Sequence, residues 1–212
     1  MNTNGWNRIR YTLYAPIYDR IVRSFNTSRK RSLQLLELKA GEAVLLIGAG
    51  TGEDIQFIPE EVEITAVDIT PAMVEHIRRK ARALKRPVQA AVMDGQALEL
   101  PSESFDAVVL HLILAVIPDP IACIREAARV LKPDGRVVIF DKFLPENEQP
   151  SLQRYLANLI ANFAFSDINR KLEPIAAAAP LNLRHEEPAV YGRFGYKIAL
   201  YEKSWQELRL CL

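Results

Sequence analysis

The chain has 212 residues, of which 49% are hydrophobic and 25% charged, and its formal net charge is +1. These proportions are those of a globular protein, and they exclude a disordered or fibrous chain. The near-neutral charge argues against a dedicated nucleic-acid-binding protein, which usually has a basic excess. Two cysteines, Cys123 and Cys211, predict neither a disulfide framework nor a metal site.

The charge is distributed unevenly along the chain. The first 39 residues hold eight basic and two acidic residues, a net charge of +6, whereas the rest carries −5. Together with an apolar stripe in the same segment and another in residues 151–163, this favours contact with an anionic membrane surface. The alternative is a solvated charged face whose stripe packs on the core.

The longest nearly apolar run, residues 107–118, is too short for a bilayer span of ~20 residues, and the sequence near Met1 lacks a signal-peptide pattern. The sequence therefore predicts a cytoplasmic protein that can lie peripherally on the inner membrane.

Short apolar runs alternate with helical patterns along the middle of the chain. The runs predict strands at residues 43–47, 64–67, 88–92, 107–110 and 137–140, and two later strands at 181–186 and 197–202. Between them, helical spacing predicts two apolar faces: one formed by Met73, Ile77, Ala81 and Leu84, the other by Ile121, Ile124, Ala128 and Leu131. This alternation predicts an α/β fold in which helices cover an open parallel sheet, with the last two strands paired antiparallel at an edge.

A glycine-rich loop, GAGTG at residues 48–52, directly follows the first predicted strand. Glycines let the backbone turn sharply and bring helix N-terminal N–H groups close to a ligand. The dinucleotide fingerprint needs another glycine at position 53, where this chain has Glu53. Glu53 and Asp54 in a first helical turn would repel a pyrophosphate, so the pattern disfavours a dinucleotide-dependent oxidoreductase. S-adenosylmethionine (SAM), which is cationic and lacks phosphate, fits better.

Two aspartates follow the next two predicted strands. Asp68 lies twenty residues after Gly48, where a carboxylate can accept hydrogen bonds from both ribose hydroxyls. Asp94 follows the third strand and could accept from an adenine amine. Either residue alone could equally be a helix cap or a turn residue. The loop and both aspartates together predict a nucleoside site.

As a set, these motifs resemble class I SAM-dependent methyltransferases. The resemblance spans residues 41–141 and rests on segments 44–52 (VLLIGAGTG), 67–73 (VDITPAM), 94–101 (DGQALELP), 105–109 (FDAVV) and 131–136 (LKPDGR). It implies a Rossmann-like fold with a doubly wound, seven-stranded, mostly parallel sheet whose last strand is antiparallel. The cofactor contacts that it implies are Gly48, Ala49, Gly50, Gly52, Asp68, Ile69, Met73, Asp94, Gly95, Gln96 and Leu110. Leu46 stands where the family usually has an acidic residue that holds the cofactor's amino group, a role that Glu53 or Asp54 could take over.

The resemblance also divides the expected single domain, residues 1–212. It implies an N-terminal helical lid (1–39), a SAM-binding core (40–142), a helical insertion (143–180) and a C-terminal strand pair with a tail (181–212). Three side chains are candidates for catalysis. His111 at the end of strand four could be a general base, or only a hydrogen-bonded strand-end histidine. Asp141 could pair with Lys142 or attract a cationic head group, and Tyr18 resembles a lid tyrosine that closes over the cofactor, or else packs between helices.

A looser resemblance indicates the acceptor. Residues 14–19 (YAPIYD) and 166–170 (SDINR), with the segments around 186–188 and 192–194, are similar to soluble bacterial phosphatidylethanolamine N-methyltransferases. They favour methyl transfer to a small or lipid-like acceptor, foremost a phospholipid head-group amine. A quinone-precursor C-methyltransferase, or another small-molecule methyltransferase, is the alternative within the superfamily. A SAM-binding protein without turnover is the alternative from another class, motivated by Leu46.

Overall fold

The computed structural model describes residues 25–144, 169–192 and 195–204, which form an α/β fold. The strands are β1 (Ala43–Ile47), β2 (Glu63–Asp68), β3 (Val88–Val92), β4 (Phe105–His111), β5 (Leu131–Lys142), β6 (Leu181–Pro188) and β7 (Tyr196–Lys203). The α-helices are α1 (Asn26–Leu35), α2 (Pro71–Ala83), α3 (Pro120–Val130) and α4 (Leu172–Ala176), and a short 3-10 helix spans Glu53–Phe57.

The seven strands form one sheet in the order β3-β2-β1-β4-β5-β7-β6. Neighbouring strands from β3 to β5 are parallel, whereas β7 is antiparallel to both β5 and β6. The predicted seven-stranded, mostly parallel sheet with an antiparallel last strand is confirmed. The chain moves outward from β1 to β3 and then returns to place β4 on the other side of β1. Ligands of such sheets bind at the carboxyl ends of the strands where the order reverses.

Alternating side chains of the central strands face two separate cores, as expected for a sheet covered on both sides. On one face, Leu45 and Ile47 pack with Ile124 of α3 and Leu172 of α4. On the other face, Leu46 lies in the core that includes Leu33 of α1. Leu46 is therefore a packing residue directed away from the ligand-binding edge of β1.

Both predicted helical faces need a correction. Leu84 lies after the end of α2 and is 39% exposed, and Ile121 in the first turn of α3 is 38% exposed. Ile124 and Ala128 are buried as predicted, and Cys123, Ala127 and Val130 complete the buried face of α3. Leu131 belongs to β5, whose start is interrupted at Asp134 by a left-handed backbone (φ 58°). None of the described helices is long and apolar enough to cross a bilayer.

Candidate active site

A cavity, called here the central cavity, opens at the strand order reversal predicted to hold the ligand. Its lining consists of residues from the loops after β1, β2, β3 and β4: Ile47, Gly48, Gly50, Asp68, Ile69, Thr70, Met73, Met93, Asp94, Gly95, Leu112, Ile113, Val116, Ile117 and Pro118. Seven of the eleven predicted cofactor residues are among them, namely Gly48, Gly50, Asp68, Ile69, Met73, Asp94 and Gly95. Parallel strands bring their carboxyl ends to one edge, which explains why residues far apart in sequence meet here.

The glycine loop approaches the opposite wall so closely that side chains are excluded. Gly48, Gly50 and Gly52 all have a left-handed backbone, which L side chains rarely adopt. A Cβ atom on Gly48 would lie 2.6 Å from Cδ1 of Ile113. Across the cavity, a Cβ atom on Gly95 would lie 2.7 Å from Cγ2 of Ile47. The loop therefore presents bare backbone to a ligand, as a SAM site requires.

Asp68 is held in place by backbone donors on both of its carboxylate oxygens. Gly50 N donates to Oδ2 at 2.9 Å, and Thr70 N donates to Oδ1 at 2.8 Å. Burial raises the pKa of this carboxyl. Each oxygen can accept a further hydrogen bond, so the carboxylate fits a pair of ribose hydroxyls. Asp94, which also lines the cavity, accepts from both the backbone and the side-chain amide of Gln96.

Four predicted cofactor residues do not line the cavity: Ala49, Gly52, Gln96 and Leu110. Ala49 and Leu110 are buried in the two cores. Gly52 ends the loop at the start of the 3-10 helix, and its ideal Cβ position faces Ile55 and Ile77. Gln96 is engaged with Asp94 and with the backbone N–H of Asp119. For these four residues the prediction of direct contact is not supported by their placement.

The two acidic residues after the glycine loop do not face the cavity, and the prediction that they repel a pyrophosphate or attract a cation there is wrong. The Glu53 carboxylate is buried and forms an ion pair with Lys80. The Asp54 carboxylate forms an ion pair with Arg29, whose Nη1 lies 2.8 Å from Oδ2. Since both charges are neutralised inside the protein, neither residue compensates for Leu46.

His111 lies in a buried polar network rather than in the cavity. Its Nδ1 is 2.8 Å from Oδ1 of Asp54, and its Nε2 is 2.7 Å from the hydroxyl of Ser32. Burial of Asp54 would raise its pKa, but Arg29 and His111 outweigh that effect and hold the pKa well below its usual range. An ionised carboxylate only accepts hydrogen bonds, so Nδ1 carries a proton. Because both ring nitrogens have partners and the imidazole side chain is only 2% exposed, the general-base role predicted for His111 has no geometric support.

This network predicts that the protein loses stability as the pH falls. Burial lowers the pKa of His111 from its ordinary value of 6.5, although Asp54 opposes that shift. Below pH 6.5 the unfolded chain therefore binds a proton that the folded chain resists, which costs up to about 1.4 kcal/mol at pH 5.5. We expect the free energy of unfolding in urea to drop between pH 7.5 and 5.5, and His111→Gln to drop less over the same interval.

The matched control is His185→Gln. The side chain of His185 is 41% exposed and bonds to Glu187 on the surface. Its replacement removes an imidazole from the surface and leaves the buried network intact, so it controls for the loss of a histidine as such. Equal pH dependence of the His111 variant and the unmodified protein would contradict the inference that burial opposes protonation of His111.

Asp141, the second catalytic candidate, is also turned away from the cavity. Its carboxylate accepts from Ala115 N at 2.9 Å and from Lys142 N at 2.7 Å, and its burial raises its pKa to about 6. Asp141 therefore binds two backbone N–H groups, and the predicted pairing with a cationic head group has no geometric support.

Tyr18, the third candidate, lies outside the described residues, as do the apolar segment 151–163 and most of the predicted lid.

Sequence reasoning missed most of the wall that faces the glycine loop. This wall consists of Leu112, Ile113, Val116, Ile117 and Pro118, and Ile47, Thr70 and Met93 complete the lining. The signal was present in the apolar run 107–118, which continues seven residues beyond the end of β4. An apolar stretch too long for its strand can supply the wall of a ligand cavity after the strand ends.

Comparison with known proteins agrees with this geometry. The Methyltransferase domain family matches residues 45–139. A demethylmenaquinone methyltransferase from Tropheryma whipplei (strain Twist) is 30% identical over 164 residues, which cover 74% of this chain and 68% of that protein. The chain belongs to the SAM-dependent methyltransferases. A phosphatidylethanolamine N-methyltransferase from Cereibacter sphaeroides is 32% identical over 117 residues, but this methyltransferase chain spans only 57% of its length.

Solved structures share the fold of this methyltransferase at low sequence identity. A geranyl diphosphate methyltransferase in complex with SAM has a TM-score of 0.73 at 16% identity, with 84% of this chain and 85% of that chain covered. The YcgJ protein from Bacillus subtilis has a TM-score of 0.71 at 21% identity, with 84% and 98% covered. These similarities support the Rossmann-like methyltransferase architecture.

Proposed function

We propose that this methyltransferase transfers the methyl group of SAM to a lipid-like amine, foremost the head group of phosphatidylethanolamine. The observation that carries the proposal is a second cleft, called here the acceptor cleft, at the same edge of the sheet as the central cavity. It lies where β5 ends and is lined by Phe143, Leu144, Glu186, Glu187, Pro188, Gly192, Gly195, Tyr196 and Lys197. β5 runs parallel to β4, whose following residues line the central cavity.

The acceptor cleft combines features that suit a cationic head group with an apolar tail. Hydrogen bonds from Arg31 and His185 lower the pKa of Glu187 to about 2, so that its carboxylate is charged. Glu186 adds a second carboxylate, 3.1 Å from Lys197. The ring of Tyr196 already lies 5.9 Å from the ammonium of Lys142, a distance typical of cation–π contact. Both carboxylates already pair with basic side chains of this chain, Glu187 with Arg31 and Glu186 with Lys197. The ring of Tyr196 is therefore the group that favours an ammonium over an anionic ligand.

The chain's own contribution to the reaction is binding and orientation. When bound, SAM supplies a methyl group on a positively charged sulfur: once the ammonium of the head group has lost a proton to solvent, its nitrogen can form the new N–C bond as the S–C bond breaks. Asp68 and Asp94 would hold the nucleoside, while Gly48 and Gly50 would allow the rest of the cofactor to approach the backbone. Alignment of nucleophile, methyl group and sulfur can supply much of the acceleration. The proposal therefore assigns no residue as a general base.

The relatives support two acceptors from different chemical classes. The similarity to a phosphatidylethanolamine N-methyltransferase favours the amine, and the similarity to a demethylmenaquinone methyltransferase favours a quinone-precursor carbon. The ring of Tyr196 in the acceptor cleft favours the amine, because a quinone precursor carries no cation for the ring to bind. Peripheral contact with an anionic membrane belongs to the same proposal, and sedimentation with anionic vesicles at low and high salt tests it.

The decisive assay offers radiolabelled SAM to the protein with vesicles containing phosphatidylethanolamine, and separately with a demethylmenaquinone analogue in detergent. We expect label in the methylated amine lipid. Glu186→Gln should raise KM for the lipid by about threefold, the size of an exposed charge effect. Glu202→Gln is the matched control, because Glu202 pairs with Arg184 on the same β6–β7 ribbon but outside the cleft.

Other outcomes would each reject the proposal in a different way. Label in the quinone analogue alone would assign the protein to carbon methylation. SAM binding without label in either acceptor would support a binding protein without turnover, in keeping with Leu46. Failure of SAM to bind at all would remove the proposed activity altogether.

A further inference from the structure

The segment after β4, residues 112–118, forms one wall of the central cavity and is called here the wall loop. Five of its residues line the cavity: Leu112, Ile113, Val116, Ile117 and Pro118. It begins with a left-handed backbone at Leu112 (φ 58°) and continues as a tight turn, in which Val116 N and Ile117 N both donate to Ile113 O. The wall loop therefore lacks the regular pairing that keeps a strand in place.

Arg170 reaches the wall loop from a distant part of the chain. Its Nη1 donates to Leu114 O at 2.5 Å and to Ile117 O at 2.6 Å, and its Nη2 lies 3.5 Å from Pro118 O. One nitrogen of the guanidinium, Nη1, thus binds two carbonyl groups of the turn, and the second nitrogen lies near a third. Arg170 is not among the residues that line the central cavity.

Asp141 also holds the wall loop. Its Oδ2 accepts the N–H of Ala115, between the two carbonyl groups that Arg170 binds most closely. Asp141 is anchored at the end of β5 and is 2% exposed. Arg170 thus binds carbonyl oxygens of this turn, and Asp141 binds one of its N–H groups. Together the two charged side chains hold the turn through both kinds of backbone polar group.

The position of the wall loop matters for the ligand because of Ile113. Its side chain faces the glycine loop so closely that even a methyl group on Gly48 would overlap with it. A shift of the turn by a fraction of an ångström would therefore change the gap between the two walls of the cavity. Tight ligand binding depends on such preorganisation.

We propose that Arg170 is a positioning residue for cofactor binding, which acts with Asp141 to hold the wall loop at its distance from the glycine loop. This inference rests on the proposed use of SAM and is independent of the acceptor. Arg170 would touch neither the cofactor nor the acceptor. Its removal should weaken SAM binding through the loop, and the amides of the loop should report the change in the absence of any ligand.

The test measures the dissociation constant for SAM by calorimetry in Arg170→Ala and Arg170→Lys. We expect an increase of about tenfold for alanine, equivalent to ~1.4 kcal/mol, and a smaller increase for lysine. Hydrogen exchange at residues 113–117 should be faster in both variants without ligand, because the turn has lost a partner. Arg125→Ala is the matched control, since Arg125 donates to Ala178 O away from the cavity and its loss should leave SAM affinity unchanged.

The outcomes separate this inference from the proposed function. If the unmodified protein binds no SAM, the proposed function fails. If it binds SAM and a folded Arg170→Ala binds within twofold of it, the positioning role is overturned. Should the alanine variant not fold, Arg170→Lys decides, because unchanged affinity and unchanged exchange in that variant would equally overturn the inference.

Discussion

Replacing Asp54 by asparagine is expected to lower the free energy of unfolding by about 3–5 kcal/mol, the usual cost of breaking a buried ion pair. Asp54 is 2% exposed, and its carboxylate binds both the guanidinium of Arg29 and the ring of His111. The asparagine variant would leave the charge of Arg29, itself 5% exposed, without its counterion. Urea unfolding followed by circular dichroism at pH 7.5 measures the loss.

The matched control for this prediction is an ion pair on the surface. Glu75 forms ion pairs with Arg78 and Arg82 on α2, and its side chain is 50% exposed. Glu75→Gln should change the free energy of unfolding by less than about 0.5 kcal/mol. A loss of less than 1 kcal/mol in Asp54→Asn, on the scale of this surface control, would show that the buried network contributes little to stability.

Replacing Asp68 by alanine is expected to weaken SAM binding by at least about 100-fold. The carboxylate is the acidic group at the end of β2 that lines the central cavity, and two backbone donors aim it there. Each hydrogen bond from a ribose hydroxyl to a charged acceptor contributes about 1.5–3 kcal/mol, so the loss of two bonds corresponds to a change of this size. Calorimetric titration with SAM at constant ionic strength measures it.

Asp106→Ala is the control that separates binding from folding. Like Asp68, Asp106 accepts a backbone N–H, from Ala43 at 2.8 Å, and it also binds Lys132. It lies at the start of β4, the opposite edge of the sheet from the cavity. Its loss should lower stability but leave the dissociation constant for SAM unchanged. Affinity in Asp68→Ala within tenfold of the unmodified protein would remove Asp68 from the cofactor site.

The buried runs and the loop motifs were enough to predict the sheet. β1 and β3 have the predicted bounds. β1 is buried, as a covered sheet requires, whereas β3 is an edge strand without a buried residue, and its Val92 is 49% exposed. The order of the motifs after β1, β2 and β3 also predicted that Gly48, Asp68 and Asp94 meet, since parallel strands place their carboxyl ends at one edge. The closeness of the last two strands in sequence predicted that they pair antiparallel, and the resemblance to a family added that the last strand is antiparallel to the rest of the sheet.

The directions of side chains beyond the strands were decided by tertiary structure. Glu53 and Asp54 stand next to the glycine loop in sequence, yet the 3-10 helix turns both inward, where Lys80 and Arg29 neutralise them. His111 ends β4 but alternates onto the α1 face, and Asp141 points at the wall loop. Local periodicity carries no information about a partner 25 or more residues away in the chain.

By itself, then, the sequence determined the sheet, the ligand-binding edge and the residues nearest to each strand end. Only the tertiary structure decided which acidic groups are neutralised in the core, which line the cavity, and that Arg170 holds the wall loop. The physical reason is that burial and strand direction depend on local pattern, whereas a charge is satisfied by whichever group the folded chain places within about 3 Å of it.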